Sequence, residues 1–154
     1  MSIIIKNKKT MIKIKDEVLN LISNYKQSKK EDYESGGILI GYETIDGNII
    51  IEFATQPFPN DIRKKNSFER IDSKHNEFLD KLWKENGEIY MYVGEWHTHP
   101  EDYPKYSLKD KRNWKNISCN MSPYKEKYIH IIVGNKGIGI WIYETMSKRI
   151  YKIY

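Results

Sequence analysis

The chain has 154 residues, 39% of them hydrophobic, which is enough for one domain with a real core and too few for two well-packed ones, so residues 1–154 are expected to form a single domain. A net charge of +5 and a pI of 9.1 would suit a nucleic-acid or membrane-surface partner, but 26 basic side chains are scattered among 21 acidic ones and gather only in short runs such as Lys6–Lys9 and Arg63–Lys65. Cys119 is the only cysteine, which excludes an internal disulfide, a zinc ribbon and the cysteine pair of a nucleotide deaminase. No window approaches the roughly 20 apolar residues of a membrane span, so a soluble, unexported, cytoplasmic protein is expected.

In chain order, "MSIIIK" and "MIKI" read as short strands. "KDEVLNLISNYKQSK" then puts Val18, Leu19, Leu21 and Ile22 on one helical stripe. From Glu34 to Pro59 two apolar runs flank "IDGN", where Asp46 and Gly47 supply hairpin turn chemistry. "FPNDIRKKNSFERID" follows as a long charged loop beside Pro57 and Pro59, placed to overhang a site. A second helix is predicted from about Asp72 to Asn86, with Phe78, Leu79 and Leu82 at helical spacing and Gly87 just past its end. "EIYMYVGEWHTHP" is a strand by composition, stopped by Pro100. A third helix begins at Ser107, and "KYIHIIVG", "GIGIWIYE" and "KRIYKIY" close the chain as strands. Helices and strands without regular alternation imply an α+β fold, a sheet with helices packed on it.

The chemistry concentrates in "EWHTHPEDYPKYSLKD". Side chains at i and i+2 of a strand share a face, so His97 and His99 project together and Thr98 points away. Two neutral imidazoles suit zinc, whose catalytic sites use three protein ligands and keep a fourth position open. Asp110, in the first turn of the third helix, is a candidate third ligand, although Ser107 and Asp110 also fit a capping box. A hydrolytic site further needs a proton acceptor. Glu95 is the nearby candidate, and Glu34 is a distant one, standing before the paired Gly36 and Gly37, which would let backbone or substrate approach closely or simply make a turn. These residues alone leave open whether Ser107 and Asp110 form a cap or a site, and which glutamate serves.

Taken together, "ESGGILIG" and "HTHPEDYPKYSLKD" resemble the JAB/MPN+ (JAMM) zinc metalloproteases, isopeptidases of ubiquitin-like systems. That family has a glutamate before a glycine-containing strand, then His-x-His, seven residues and Ser-x-x-Asp, and "PEDYPKY" supplies the seven. The resemblance implies a JAB/MPN fold, cytidine deaminase-like, with a mixed β-sheet flanked by helices in three α/β/α layers. It implies one zinc ion held by His97, His99 and Asp110. Glu34 would activate the attacking water and pass its proton to the leaving amine, and Ser107 would bind the developing oxyanion. Glu95 is left a supporting or structural role.

"GEWHTHPE" is similar to prokaryotic JAB proteins of mobile elements and anti-phage CBASS operons. This implies removal of conjugates from the C-terminus of a cGAS-like nucleotidyltransferase (CD-NTase) or a ubiquitin-like modifier, in a pathway with an E1–E2-like conjugating protein. A deconjugase for another bacterial ubiquitin-like or sulfur-carrier protein is the alternative within the family. A non-catalytic MPN-like scaffold and a nucleic-acid binder are alternatives outside catalysis; the complete ligand set disfavours the former, the dispersed charge the latter. A membrane partner is not expected. An extended substrate tail could add as a strand beside the site, shaped by Glu43–Gly47 or Gln56–Lys65.

For the remaining features the expectations are structural. His75 reads as solvated on a charged helix face and His130 as a satisfied strand histidine. Trp83, Trp114 and Trp141 read as core, Trp96 as packing behind the site, and Cys119 as a small buried residue.

Overall fold

A computed structural model describes residues 2–7, 10–121 and 125–154. Met1 of the first strand reading, and Lys8 and Lys9 of the basic run, lie outside the described residues. The elements, in order, are β1 (Ile3–Lys6), β2 (Met11–Ile14), α1 (Asp16–Ser23), β3 (Gly36–Glu43), β4 (Ile49–Ala54), β5 (Ile62–Lys64), β6 (Ser67–Glu69), α2 (Lys74–Glu85), β7 (Met91–Thr98), α3 (Leu108–Asn120), β8 (Lys127–Val133), β9 (Ile138–Glu144) and β10 (Arg149–Lys152).

Eight strands form one sheet in the order β1-β2-β4-β3-β7-β8-β9-β10, and β5 pairs with β6 apart from it. The β2–β4 and β7–β8 pairs are parallel and the others antiparallel, so the sheet is mixed. Period-two alternation divides its side chains between two cores. On one face Val18 and Ile22 of α1 pack with Ile14, Leu39, Ile51, Val93, Trp96, Ile129 and Ile131. On the other, Leu79 and Leu82 of α2 and Ile117 of α3 cover Ile38, Ile40, Tyr92 and Tyr128, and Trp114 of α3 packs with Ile132, Trp141 and Tyr143. The result is the α/β/α layering expected of an α+β JAB/MPN fold.

The β3–β4 hairpin turns at Asp46–Gly47 as its sequence implies, with Gly47 at φ 78°. Segment 58–72, expected to be a loop, contains the β5–β6 hairpin. Its strands are three residues each and largely exposed, so no apolar alternation marks them.

Four expectations about single side chains are corrected. His75 is buried, not solvated: Nδ1 is hydrogen-bonded to the Thr55 hydroxyl and Nε2 lies 2.6 Å from Asp61 Oδ2, while Phe58 packs edge-on at 4.7 Å. Asp61 also accepts the N–H groups of Phe58, Ile71 and Asp72, so the strong local pull of this network brings the first turn of α2 inward. His130 is buried at 1% exposure, yet among the described residues neither ring nitrogen has a hydrogen-bond partner; the ring stacks on Trp114 at 4.4 Å. Trp83 is 40% exposed, because α2 meets the sheet through Leu79 and Leu82 and the next position turns away. Cys119 is exposed for the same reason, since α3 faces inward at Ile117 and Ser118. Trp114, Trp141 and Trp96 are buried as expected, and Trp96 donates from Nε1 to the Thr55 carbonyl at 2.8 Å.

Candidate active site

Strand β7 carries His97 on the face toward α3 and Trp96 and Thr98 on the opposite face. After the strand ends, His99 stays aligned because its N–H donates to the Val133 carbonyl at 3.0 Å. The two Nε2 atoms lie 3.1 Å apart. The loop to α3 is tied to the core by Tyr106, whose ring meets Trp114 at 5.4 Å and Trp141 at 5.9 Å.

That loop delivers Ser107 as the N-cap of α3. The Asp110 N–H donates to Ser107 Oγ at 3.1 Å, and the Ser107 N–H donates to Asp110 Oδ2 at 2.7 Å. The capping box therefore turns the Asp110 carboxylate back over the first turn. Its Oδ1 sits 3.1 Å from His97 Nε2 and its Oδ2 3.3 Å from His99 Nε2. Cap and site are thus one arrangement.

The three donor groups lie within 4.8 Å of one another. Two imidazole nitrogens and a carboxylate oxygen converging at the edge of a solvent-accessible cleft are a donor set that fits a zinc-type ion with an open position. Burial opposes ionisation of Asp110, but hydrogen bonds from His97 and His99 outweigh it and hold the carboxyl well below the usual range. Burial likewise opposes a charged His99, and the Asp110 carboxylate overcomes it and raises the imidazole.

Glu34 lies just before β3, only 6% exposed, lining the same cleft. Burial raises its carboxyl above the ordinary value, and the neighbouring histidines only partly offset this. Its backbone is fixed on several sides. The Glu34 N–H donates to the Lys64 carbonyl at 2.8 Å, and the Glu34 carbonyl accepts from Arg63 Nε at 3.0 Å. Next to it, the Ser35 N–H donates to the Thr98 hydroxyl at 3.0 Å, and Thr98 returns its own N–H to the Ser35 carbonyl at 2.9 Å. Gly36 lies opposite His97, where a Cβ would meet the Phe68 ring at 2.6 Å and the Trp96 carbonyl at 2.7 Å. Protein, rather than substrate, occupies the space that Gly36 leaves.

Glu95 shares the cleft but is otherwise engaged: one oxygen accepts from Arg70 Nε at 2.8 Å, Arg70 Nη2 at 2.8 Å and the Tyr92 hydroxyl at 3.0 Å. The cleft, about 470 Å³, runs along α3 past Lys109, Arg112, Asn113 and Asn116, with Ser67–Ile71 as its other wall. Segment 58–72 thus borders the site as expected, whereas the Glu43–Gly47 turn lies at the far end of β3 from Glu34 and lines a different cleft.

Sequence reasoning missed Arg63, Thr98 and Gln27 as parts of this site. Buried Gln27 accepts from the Thr98 hydroxyl at 2.8 Å and donates to the Lys65 carbonyl at 3.0 Å. Thr98 was detectable as the residue that must face away between two histidines; Gln27 and Arg63 carry no local signal.

A mixed sheet between helix layers, with this cleft at the end of the parallel β7–β8 pair, defines the JAB/MPN class of α+β protein. The chain belongs to the prokaryotic JAB family: the family model described as prokaryotic homologs of the JAB domain matches residues 18–148. The chain is 33% identical over 140 residues to a CD-NTase/cGAS isopeptidase of Escherichia coli (strain TW11681), covering 91% of this chain and 85% of the relative. It is 31% identical over 133 residues to another of that name from Pseudomonas aeruginosa (strain BWHPSA011 / Pa011), covering 86% and 82%. A solution structure of a Desulfitobacterium hafniense protein shares the fold, with a TM-score of 0.59 and 16% identity over 93% of this chain and 88% of that one. Among the described residues no helix is long and apolar enough to cross a membrane.

Proposed function

We propose that this chain is a zinc-dependent isopeptidase that acts in the cytoplasm as a single catalytic domain and removes conjugates from the C-terminus of a cGAS-like nucleotidyltransferase in a bacterial anti-phage system. Its pathway partner is the E1–E2-like protein that makes the conjugate. The observation that carries this reading is the cleft shared by buried Glu34 and the convergent His97, His99 and Asp110. The names of the relatives point to the substrate class.

His97, His99 and Asp110 would hold the metal. When bound, zinc supplies Lewis acidity, which acidifies water and polarises a carbonyl. Glu34 takes the proton of the attacking water as the water oxygen bonds to the scissile carbonyl carbon. The proton then goes to the leaving amine as the C–N bond breaks, restoring the carboxylate. Burial suits Glu34 to the first transfer, since a carboxyl raised above its ordinary value is a stronger base toward the attacking water, and the expelled amine, more basic still, draws the proton from it in the second. Ser107 Oγ accepts from the Asp110 N–H and keeps its own hydrogen to donate to the oxyanion, a contact commonly worth about 3 kcal/mol in preorganised sites. The extended C-terminal tail of the substrate enters along β6, opposite the amides of Asn113 and Asn116.

The test is Glu34→Gln on a nucleotidyltransferase–reporter conjugate. Loss of cleavage with unchanged metal content is expected; full cleavage by the variant would overturn the mechanism.

A further inference from the structure

Glu34 stands outside the ladder of β3, which begins two residues later at Gly36, so regular sheet pairing does not fix its backbone. Thr98 holds the Ser35 side of this backbone, and the separate β5–β6 hairpin holds Glu34 itself. Lys64 accepts the Glu34 N–H, and Arg63 reaches back from the adjacent position with its guanidinium. One nitrogen, Nε, donates to the Glu34 carbonyl at 3.0 Å, and Nη2 donates to the Ser35 hydroxyl. A guanidinium fork presents two donors in fixed relation, so Arg63 holds the carbonyl side of the Glu34–Ser35 peptide and the Ser35 side chain together, while Thr98 holds the peptide N–H. The carboxylate hangs from the Cα that this peptide and the Lys64 bond bracket.

We infer that Arg63 is a positioning residue for the reaction, setting the reach of the Glu34 carboxylate through the Glu34–Ser35 backbone without touching substrate. The inference rests on the assignment of Glu34 as the base. The same hairpin walls the cleft through Ser67 and Phe68, so the element that meets the substrate tail also holds the base. Arg63 is itself exposed, and its strand pairing with Phe68 is a backbone pairing that survives truncation of the side chain. Removing the guanidinium therefore loosens the base while sparing the fold. Misplacement of a catalytic group by about 1 Å costs up to about 100-fold in rate.

The experiment compares Arg63→Ala, Arg63→Lys and Glu34→Gln in the full metal-loaded chain. Arg63→Ala is expected to lower kcat by roughly 10- to 100-fold with KM, bound metal and unfolding midpoint unchanged. Hydrogen exchange at the Glu34 amide should accelerate while the central strands stay protected. Ethylguanidinium in solution should restore part of kcat to Arg63→Ala and none to Glu34→Gln, and Arg63→Lys, with one donor group for two acceptors, should fall between. Wild-type kcat in Arg63→Ala beside an inactive Glu34→Gln would overturn the inference and leave the base assignment standing. So would a change confined to KM. An active Glu34→Gln would instead remove the base assignment itself.

Discussion

The Ser35 N–H and the Thr98 hydroxyl meet at 3.0 Å across 63 residues of sequence, joining the backbone beside the proposed base to the residue between the paired histidines. The Thr98 hydroxyl passes its hydrogen to Gln27 Oε1 at 2.8 Å, and Gln27 in turn donates to the Lys65 carbonyl of the β5–β6 hairpin at 3.0 Å. Ser35, Thr98 and Gln27 are all buried. Four stretches of chain that sequence keeps apart, at Gln27, Ser35, Lys65 and Thr98, are thereby held in one register.

Thr98→Val keeps the shape of this side chain and removes the hydroxyl. It leaves the Ser35 N–H and Gln27 Oε1 buried without their partner, at a cost of about 1–3 kcal/mol. Urea unfolding should show that loss, and kcat should fall with it as Glu34 and the histidines lose registry. Thr98→Ser should recover most of both. A Thr98→Val protein as stable and active as the parent would show that the hydroxyl is dispensable.

His130 makes stability depend on pH in a defined window. Burial, with His97 nearby, pushes its imidazole down to about 3, so the folded ring stays neutral in mild acid. The unfolded ring takes a proton below about 6.5. The sign follows: the contribution is fully present above about 6.5, declines as pH falls toward about 3, and costs at most about 1.4 kcal/mol per pH unit between them. His130→Leu removes this proton uptake along with two nitrogens that have no partner among the described residues. Urea midpoints of metal-free protein between pH 4 and 7 should therefore fall less steeply for His130→Leu than for the parent; identical slopes would contradict a neutral buried ring.

Cys119 is the only cysteine and lies exposed near the C-terminal end of α3. One equivalent of a maleimide should label the folded protein, without denaturant, and leave hydrolysis unchanged. Labelling only after unfolding would place the thiol inside, where sequence alone had put it.

Much of the fold was legible because its signals are local and strong. The Asp46–Gly47 turn, the apolar, aromatic-rich runs of β7, β8 and β9, and the Ser107 cap each follow from a few adjacent residues. The shared face of the two histidines was legible from strand alternation, whereas Asp110 was preferred as a ligand over a mere cap only through the resemblance, because a capping aspartate reads the same with or without a metal beside it. Properties decided by distant partners were not legible. His75 looks like a helix-surface histidine until Thr55 and Asp61 arrive from other segments, and the β5–β6 strands are held by one another and by Glu34, with no apolar pattern of their own. Arg63 reads as part of a basic run, and only the folded chain brings it to the Glu34 carbonyl.

Cleavage of a nucleotidyltransferase–reporter conjugate by the purified chain, before and after chelation and again after one equivalent of zinc is restored, tests the central claim most directly. The account predicts cleavage that chelation abolishes and zinc restores in the parent protein, with no restoration when His97, His99 or Asp110 is replaced by alanine. Cleavage that continues undiminished in chelator, or that zinc restores equally to those three variants, would contradict it.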